Sequence, residues 1–326
     1  MRGTNSRCLQ PRPPRGCHDR RSWWITRDGR VCRRRHRSNR WRTVTSDSPR
    51  VTTCDLSVTH PEGQRELFCD ITVPVTPPRG TLLIAHGFKG YKDYGMFPHL
   101  ARKAARHGWA ALRFNFAHSG MTRFESTFER PDLFALDTWN RQVADLEQLV
   151  AAVRAGLFAE CPREGPVVLF GHSRGGLAAI LAAGRGVAVD AVLSASAPKE
   201  SLRLSEEDRA RLRDEGSCPV ESSRTGQMLS IGRQFVDEVQ QDPESHDPCV
   251  MAARMTSPLI IVHGDSDETV SCEDARALAL ASGRAPVLVP GGTHVFNVPN
   301  PFDAEGEASP QLAALESVLL ETLDSV

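Results

Sequence analysis

Lysine is scarce: four residues against 36 arginines in a chain of 326. A ratio so low points to GC-rich coding rather than to selection for phosphate contacts, which weakens a nucleic-acid reading even where the chain is most basic. No methionine occurs between Met1 and Met96, so one of two readings is a start assigned too far upstream, with the native start at a valine codon such as Val44 or Val51. No apolar run reaches the roughly 18 residues of a membrane-spanning helix, which excludes that class. RRSWWITR has the look of a twin-arginine start, but DGRVCRRRHR stands where the apolar core of an export signal belongs, so no signal peptide is expected. The nine cysteines are odd in number and widely spaced, which argues against a disulfide framework and for reduced thiols in the cytoplasm. Cys8, Cys17, Cys32 and His36 follow no common zinc spacing, and no metal is expected.

Charge is balanced in total, 40 Lys+Arg against 40 Asp+Glu, but not in distribution. Residues 1–50 hold 15 arginines, no lysine and three acids (Asp19, Asp28, Asp47), a net charge of +12, so the remainder carries −12. This break, near Val44–Val51, divides the chain into an Arg-rich arm, residues 1–50, and a body, residues 51–326. The arm has no periodic apolar face and contains PRPPRG, the composition of a disordered segment. Such an arm can hold nucleic acid or a membrane surface electrostatically. With arginine usage set by coding bias, neither is expected as a partner.

Within the body, strands alternate with helices. CDLSVTH and ELFCDITVPV alternate apolar and polar residues, as in an antiparallel hairpin with one wet face. GTLLIAHG and WAALRFNF are short, nearly continuous apolar runs, expected of strands covered on both faces. Between them MFPHLARKAARHG has helical spacing and closes on Gly108. DTWNRQVADLEQLVAAVRAG is a longer amphipathic helix. GPVVLFG, a helix opening at Ser173, DAVLSASAP, PLIIVHG, CEDARALALASG, APVLVPGG and SPQLAALESVLLETL continue the alternation. The pattern implies an α/β fold, a mostly parallel sheet of about eight strands flanked by helices. Ligands of such sheets sit beyond the carboxyl ends of the strands.

Residues 199 to about 255 break the rhythm, separating two strands by far more than the roughly two to six residues usual in such connections. Their helical patterns, SEEDRARLRDEG and LSIGRQFVDEVQQ, flank a polar turn, ESSRTG, and read as a helical lid inserted over the catalytic edge. A surface excursion without function is the alternative. The apolar residues Met228, Leu229, Ile231, Phe235 and Val236 are expected to pack among themselves rather than to form an acyl pocket.

Three strand ends carry reactive side chains. Ser173 lies in Gly171-His172-Ser173-Arg174-Gly175, between a buried strand and a helix. A hydroxyl on so tight a turn needs Gly171 and Gly175 beside it, because a Cβ there would strike the neighbouring strand or helix. The following helix aims its N-terminal dipole at any oxyanion formed above the turn. A serine hydroxyl needs a base, and His294, in PGGTHVF, follows the last strand. Asp267, in IIVHGDSDETV, follows the strand before it and is placed to fix the imidazole tautomer. Singly, each has a plain alternative: Ser173 a helix cap, Asp267 a turn former or cap of the next helix, His294 a loop histidine. Together, in the order Ser, Asp, His, they make a nucleophile, an acid and a base. Asp265 competes for the acid role from the same turn, with Asp267 favoured. The backbone N–H groups of Phe88, in AHGFKG, and of Arg174 are expected to form an oxyanion hole. His263 is expected to be buried, His172 to point away from the turn's apex, His86 to support its loop, and His118, in FNFAHSG, to be solvated.

These elements resemble the α/β-hydrolase superfamily, and within it small bacterial hydrolases related to dienelactone hydrolases and cinnamoyl or feruloyl esterases. HGF, LRFNFAHSG, GHSRGG, HGDSDETV and GGTHVF stand in the family's order across residues 51–326, whereas residues 1–50 match nothing in it. The family's HG…D…V pattern selects Asp267; the proline that often follows that valine is replaced by Ser271. The resemblance implies an α/β-hydrolase fold and a serine esterase that cleaves a small-molecule carboxylic ester through an acyl-enzyme. Water resolves that intermediate, so no cofactor is expected. A thioesterase or an acyl-peptidase would use the same three residues. A non-catalytic binding protein on this fold would lack one of them, and all are present. Oligomeric state and acyl preference are not read from these motifs.

Overall fold

In a computed structural model of the chain, residues 22–25, 31–33, 48–124 and 126–326 are described. Strands β1 (Ser22–Ile25) and β2 (Val31–Arg33), with residues 48–50, are the described parts of the Arg-rich arm. Then follow β3 (Arg50–His60), β4 (Gly63–Val73), β5 (Thr81–Ala85), helix α1 (Phe97–Arg106), β6 (Ala110–Asn115), α2 (Pro131–Phe134) and α3 (Trp139–Arg154). The chain continues through β7 (Val167–His172), α4 (Arg174–Gly184) and β8 (Ala191–Ala195). An excursion then holds α5 (Glu206–Glu215), an antiparallel hairpin of β9 (Ser217–Glu221) and β10 (Met228–Gly232), α6 (Gln234–Gln241) and α7 (Pro248–Arg254). The last elements are β11 (Leu259–Gly264), α8 (Cys272–Ser282), β12 (Val287–Val289) and α9 (Pro310–Asp324).

One sheet carries the fold, in the order β12-β11-β8-β7-β5-β6-β4-β3-β1-β2. The run from β12 to β6 is parallel, while β4 pairs antiparallel with both β6 and β3. The arm strands extend the β3 edge, with Ser22 opposite Asp55 and Trp23 opposite Leu56. The zinc-like set Cys8, Cys17, Cys32 and His36 lies outside the residues whose side chains are described.

The continuous apolar runs become strands because both of their faces are covered. Along β5, Leu82 and Ile84 face a core shared with α1 and α9, while Leu83 and Ala85 face one shared with α3, α4, α7 and α8. Val168 and Phe170 of β7 divide from Val167 and Leu169 in the same way. Each such Val, Leu, Ile or Phe side chain contributes roughly 1.5–3 kcal/mol relative to exposure. Polar turns therefore fall only at strand ends, and the parallel strands deliver their loops to one edge.

The excursion is not purely helical. The stretch LSIG, expected to be helical, lies in strand β10, because β9 supplies it with a full set of backbone partners. The turn ESSRTG joins the two strands. Among the described residues, no helix is long and apolar enough to cross a membrane and no group of side chains can hold a metal.

Candidate active site

Ser173 stands between β7 and α4 with φ 55° and ψ −121°, a left-handed conformation rare outside glycine. Its N–H is held by the Ala195 carbonyl at 2.7 Å. Although Ser173 occupies the cap position of α4, its side chain makes no capping hydrogen bond. The plain alternative, a helix cap, is thereby removed. The turn is tight: a Cβ on Gly171 would lie 2.3 Å from the Gly175 carbonyl oxygen, and one on Gly175 would lie 2.4 Å from that of Ala85. Gly87 of the β5 loop packs over the same turn, where an added Cβ would meet that of Ser173 at 3.2 Å.

The end of β11 and the loop after β12 touch through backbone, since a Cβ on Gly264 would fall 2.1 Å from the Gly292 carbonyl oxygen. That approach brings His294 Nδ1 to 2.8 Å from Asp267 Oδ2. The Asp267 side chain is fully buried and its Oδ1 accepts from the Thr269 and Val270 amides at 2.8 and 2.9 Å. Helix α8 is capped instead by Ser271, which accepts from the Glu273 amide. Burial raises the Asp267 pKa, but hydrogen bonds from His263, His294 and the Val270 amide outweigh it and hold the carboxyl well below its usual range. It is an anion at neutral pH. Asp265 points elsewhere: its Oδ1 accepts from the Gly291 amide at 2.7 Å and fastens the histidine loop.

Two further histidines serve the same pair. His172 Nε2 donates to the His294 carbonyl at 2.7 Å, and the two rings lie 4.9 Å apart. Burial, with the neighbouring His294, lowers the His172 pKa to about 3, so this ring is neutral. His263, buried as expected, has Nε2 at 2.9 Å from the Val270 carbonyl and 3.2 Å from Asp267 Oδ2. His172 and His263 lie inside GHSRGG and HGDSDETV, one residue before Ser173 and four before Asp267, but their supporting contacts are visible only in the fold.

Phe88 follows Gly87 at the end of β5, and Arg174 opens α4, where the first-turn N–H groups have no partner within the helix. His86 fixes the Phe88 loop, its Nδ1–H reaching the Gly87 carbonyl at 2.9 Å while Nε2 accepts from the Phe116 amide at 3.3 Å. Burial lowers its pKa to about 4, consistent with that neutral tautomer. The expectation for His118 is corrected. It is fully buried rather than solvated, with Nε2 2.6 Å from Glu62 and its ring 4.6 Å from that of His60, because the β3–β4 hairpin covers the loop.

The side chain of Arg174 is also buried, against Phe88, Trp139 and Phe235, and its Nη2 lies 3.1 Å from Asp137 Oδ2. Burial depresses the guanidinium pKa, and it raises that of Asp137 to about 6 even against the attraction of Arg174. The excursion reaches the same place. Lys89 Nζ donates to the Glu221 carbonyl at 2.8 Å, and Leu229 packs with Met121, Phe128 and Phe134 beside Phe88 and Tyr91. Of the five apolar residues considered for a pocket, Leu229, Phe235 and Val236 are buried in packing and Met228 is exposed.

The chain belongs to the alpha/beta hydrolase family, whose sequence pattern matches residues 82–305. No curated protein matches it. Among solved structures it shares its fold with Est1E from Butyrivibrio proteoclasticus, at 18% identity and a TM-score of 0.57, covering 83% of this chain and 98% of that one. Est1E with ferulic acid bound aligns at 19% identity and a TM-score of 0.59, over 80% and 95% of the two chains. An esterase domain from a Rhodothermus marinus protein aligns at 23% identity and a TM-score of 0.56, over 84% and 97%.

Proposed function

We propose that the protein is a serine hydrolase that cleaves carboxylic esters through an acyl-enzyme. The observation that carries this reading is Ser173, held at positive φ on an uncapped strand-to-helix turn, while Asp267 grips Nδ1 of His294, whose carbonyl is bonded by His172, the residue before Ser173. With Nδ1 so engaged, Nε2 is the nitrogen that takes the Ser173 proton as Oγ attacks the ester carbonyl. The Phe88 and Arg174 amides stabilise the oxyanion. Collapse of the tetrahedral intermediate expels the alcohol, which receives the proton from Nε2, and water then repeats the sequence to release the acid. Asp267, anionic and buried, favours the imidazolium at each step. An aromatic acyl group, such as the ferulic acid bound by Est1E, is the first substrate class to test. The free cysteines suit a reducing compartment, and the cytoplasm is the proposed location.

Hydrolysis of a panel of p-nitrophenyl and feruloyl esters by the wild type and Ser173→Ala tests this. Turnover on the preferred ester should fall by about 10³-fold or more in the variant, with fluorophosphonate labelling lost alongside. A wild type that turns over no ester and takes no label would exclude the reading. Higher turnover on thioesters or acyl-peptides would keep the three residues and change the substrate class.

A further inference from the structure

The residue after Ser173 has a side chain that the proposed reaction does not use. Arg174 is 11% exposed, and its guanidinium carbon lies 4.6 Å from the ring centroid of Trp139, 4.6 Å from Phe235 and 5.3 Å from Phe88. Asp137 takes its charge at 3.1 Å, and is itself held by Gln142 Nε2 at 2.7 Å. These partners come from separate parts of the fold. Phe88 belongs to the loop after β5, Asp137, Trp139 and Gln142 to the entry and first turns of α3, and Phe235 to α6 of the excursion. Helix α6 is in turn fastened to α3, because Glu238 Oε1 accepts from the Trp139 and Asn140 amides at 2.6 and 3.2 Å.

We infer that the Arg174 guanidinium is a positioning group that ties the Phe88 loop to the start of α4 and thereby sets the spacing of the two oxyanion donors, with the excursion as its outer wall. This rests on the ester-hydrolase reading above. A cation is drawn to aromatic faces, and a buried one must keep its carboxylate, so the box of three rings and Asp137 has one low-energy arrangement. The Phe88 loop, held at the Gly87 carbonyl by His86 and by the Gly90 amide at 3.1 Å, gains a further restraint at the Phe88 ring from Arg174. It runs through Lys89 at φ 57° and has Gly87 and Gly90 on either side, so its backbone is not fixed by local preference. Donors to an oxyanion work only within a narrow range of distance from the developing charge, and the Phe88 ring is the part of that residue that Arg174 can hold.

The experiment compares wild type with Arg174→Met, Arg174→Lys and the double variant Arg174→Met/Asp137→Leu. It reads kcat and KM on the preferred ester, affinity for an arylboronic acid that adducts the serine as a tetrahedral anion, and the rate of Ser173 phosphonylation by a fluorophosphonate. Arg174→Met should lower kcat, boronate affinity and phosphonylation rate together, on the order of 10–100-fold, with KM changed less than about threefold. Arg174→Lys keeps the charge but loses the planar stack and should fall between. The double variant, which leaves no orphaned charge, should regain thermal stability while kcat stays low. Recovery of kcat together with stability would reduce Arg174 to a buried charge and overturn the inference. Normal labelling of Ser173 with unchanged rates in Arg174→Met would overturn it while leaving the esterase reading intact. A wild-type Ser173 that takes no label would remove both. Should Arg174→Met not fold, Arg174→Lys and Phe235→Leu carry the same three readouts, and unchanged values there count against it equally.

Discussion

Asp265 and Asp267 share one turn, yet their hydrogen bonds send them to different tasks. Asp267 is buried against two imidazoles and two amides, whereas Asp265 spends Oδ1 on the Gly291 amide. In Asp267→Asn the amide cannot both orient His294 and offset its charge, so kcat should fall on the order of 10³–10⁴-fold. Asp265→Asn retains a carbonyl oxygen for Gly291, and steady-state turnover should stay within about fivefold of wild type, since the triad geometry is kept. Equal losses in the two variants would count against Asp267 as the acid. Much at this scale is legible in the sequence. The proposed nucleophile, acid and base, Ser173, Asp267 and His294, are read from the sequence because reactive side chains at strand ends are few and a strained turn needs glycines in fixed places, and the structure adds the pairing of Asp267 with His294. The Arg174 box is not legible in the sequence. Its members, from residue 88 to residue 235, meet only because four elements converge, and no spacing along the chain encodes that. His118 misleads for a related reason: FNFAHSG has the polarity of an open loop, and its cover is supplied from Glu62 and His60 some sixty residues away.

At the scale of elements, the excursion is coupled to the hydrolase body through the start of α3. Thr138 caps that helix weakly, accepting from the Arg141 amide at 3.4 Å, so two other first-turn amides depend on the Glu238 carboxylate from α6. A negative charge there also meets the positive end of the helix dipole. Glu238→Ala leaves both amides without their acceptor and should cost about 0.5–2 kcal/mol, measured by denaturant unfolding. An unaltered midpoint would mean that water replaces the carboxylate without loss. Helix α8 closes on a left-handed Gly283 as CEDARALALASG indicates, while its cap is Ser271 rather than Asp267. Strand β10 is not readable from its residues, because five residues of mixed character sit as readily in a helix as in a hairpin, and pairing with β9 decides the matter. The parallel strands need no such partner to be recognised, since burial on both faces leaves its mark as an unbroken apolar run.

For the whole molecule, the buried titratable groups set how stability responds to acid. His86 and His118 have pKa values lowered to about 4, and His172 to about 3, in each case chiefly by burial. The unfolded chain takes up these three protons near pH 6.5, while the folded protein refuses them until near pH 4. Stability is therefore present in full above pH 6.5 and declines as the pH falls through the window below it. Asp137 opposes the trend. Burial raises it to about 6, so the folded carboxyl accepts a proton before the unfolded one does, and Asp145 is raised in the same direction by the same cause. Three histidines outweigh at most two carboxyls, so between pH 6.5 and 5 the unfolded chain binds the more protons and stability declines. The thermal midpoint should accordingly fall from pH 7 to pH 5, followed by circular dichroism at fixed ionic strength. A midpoint that held steady or rose would place the carboxylates ahead of the histidines. The same acid range bears on catalysis independently of unfolding: Asp267, held well below the usual carboxylate range, stays ionised throughout it.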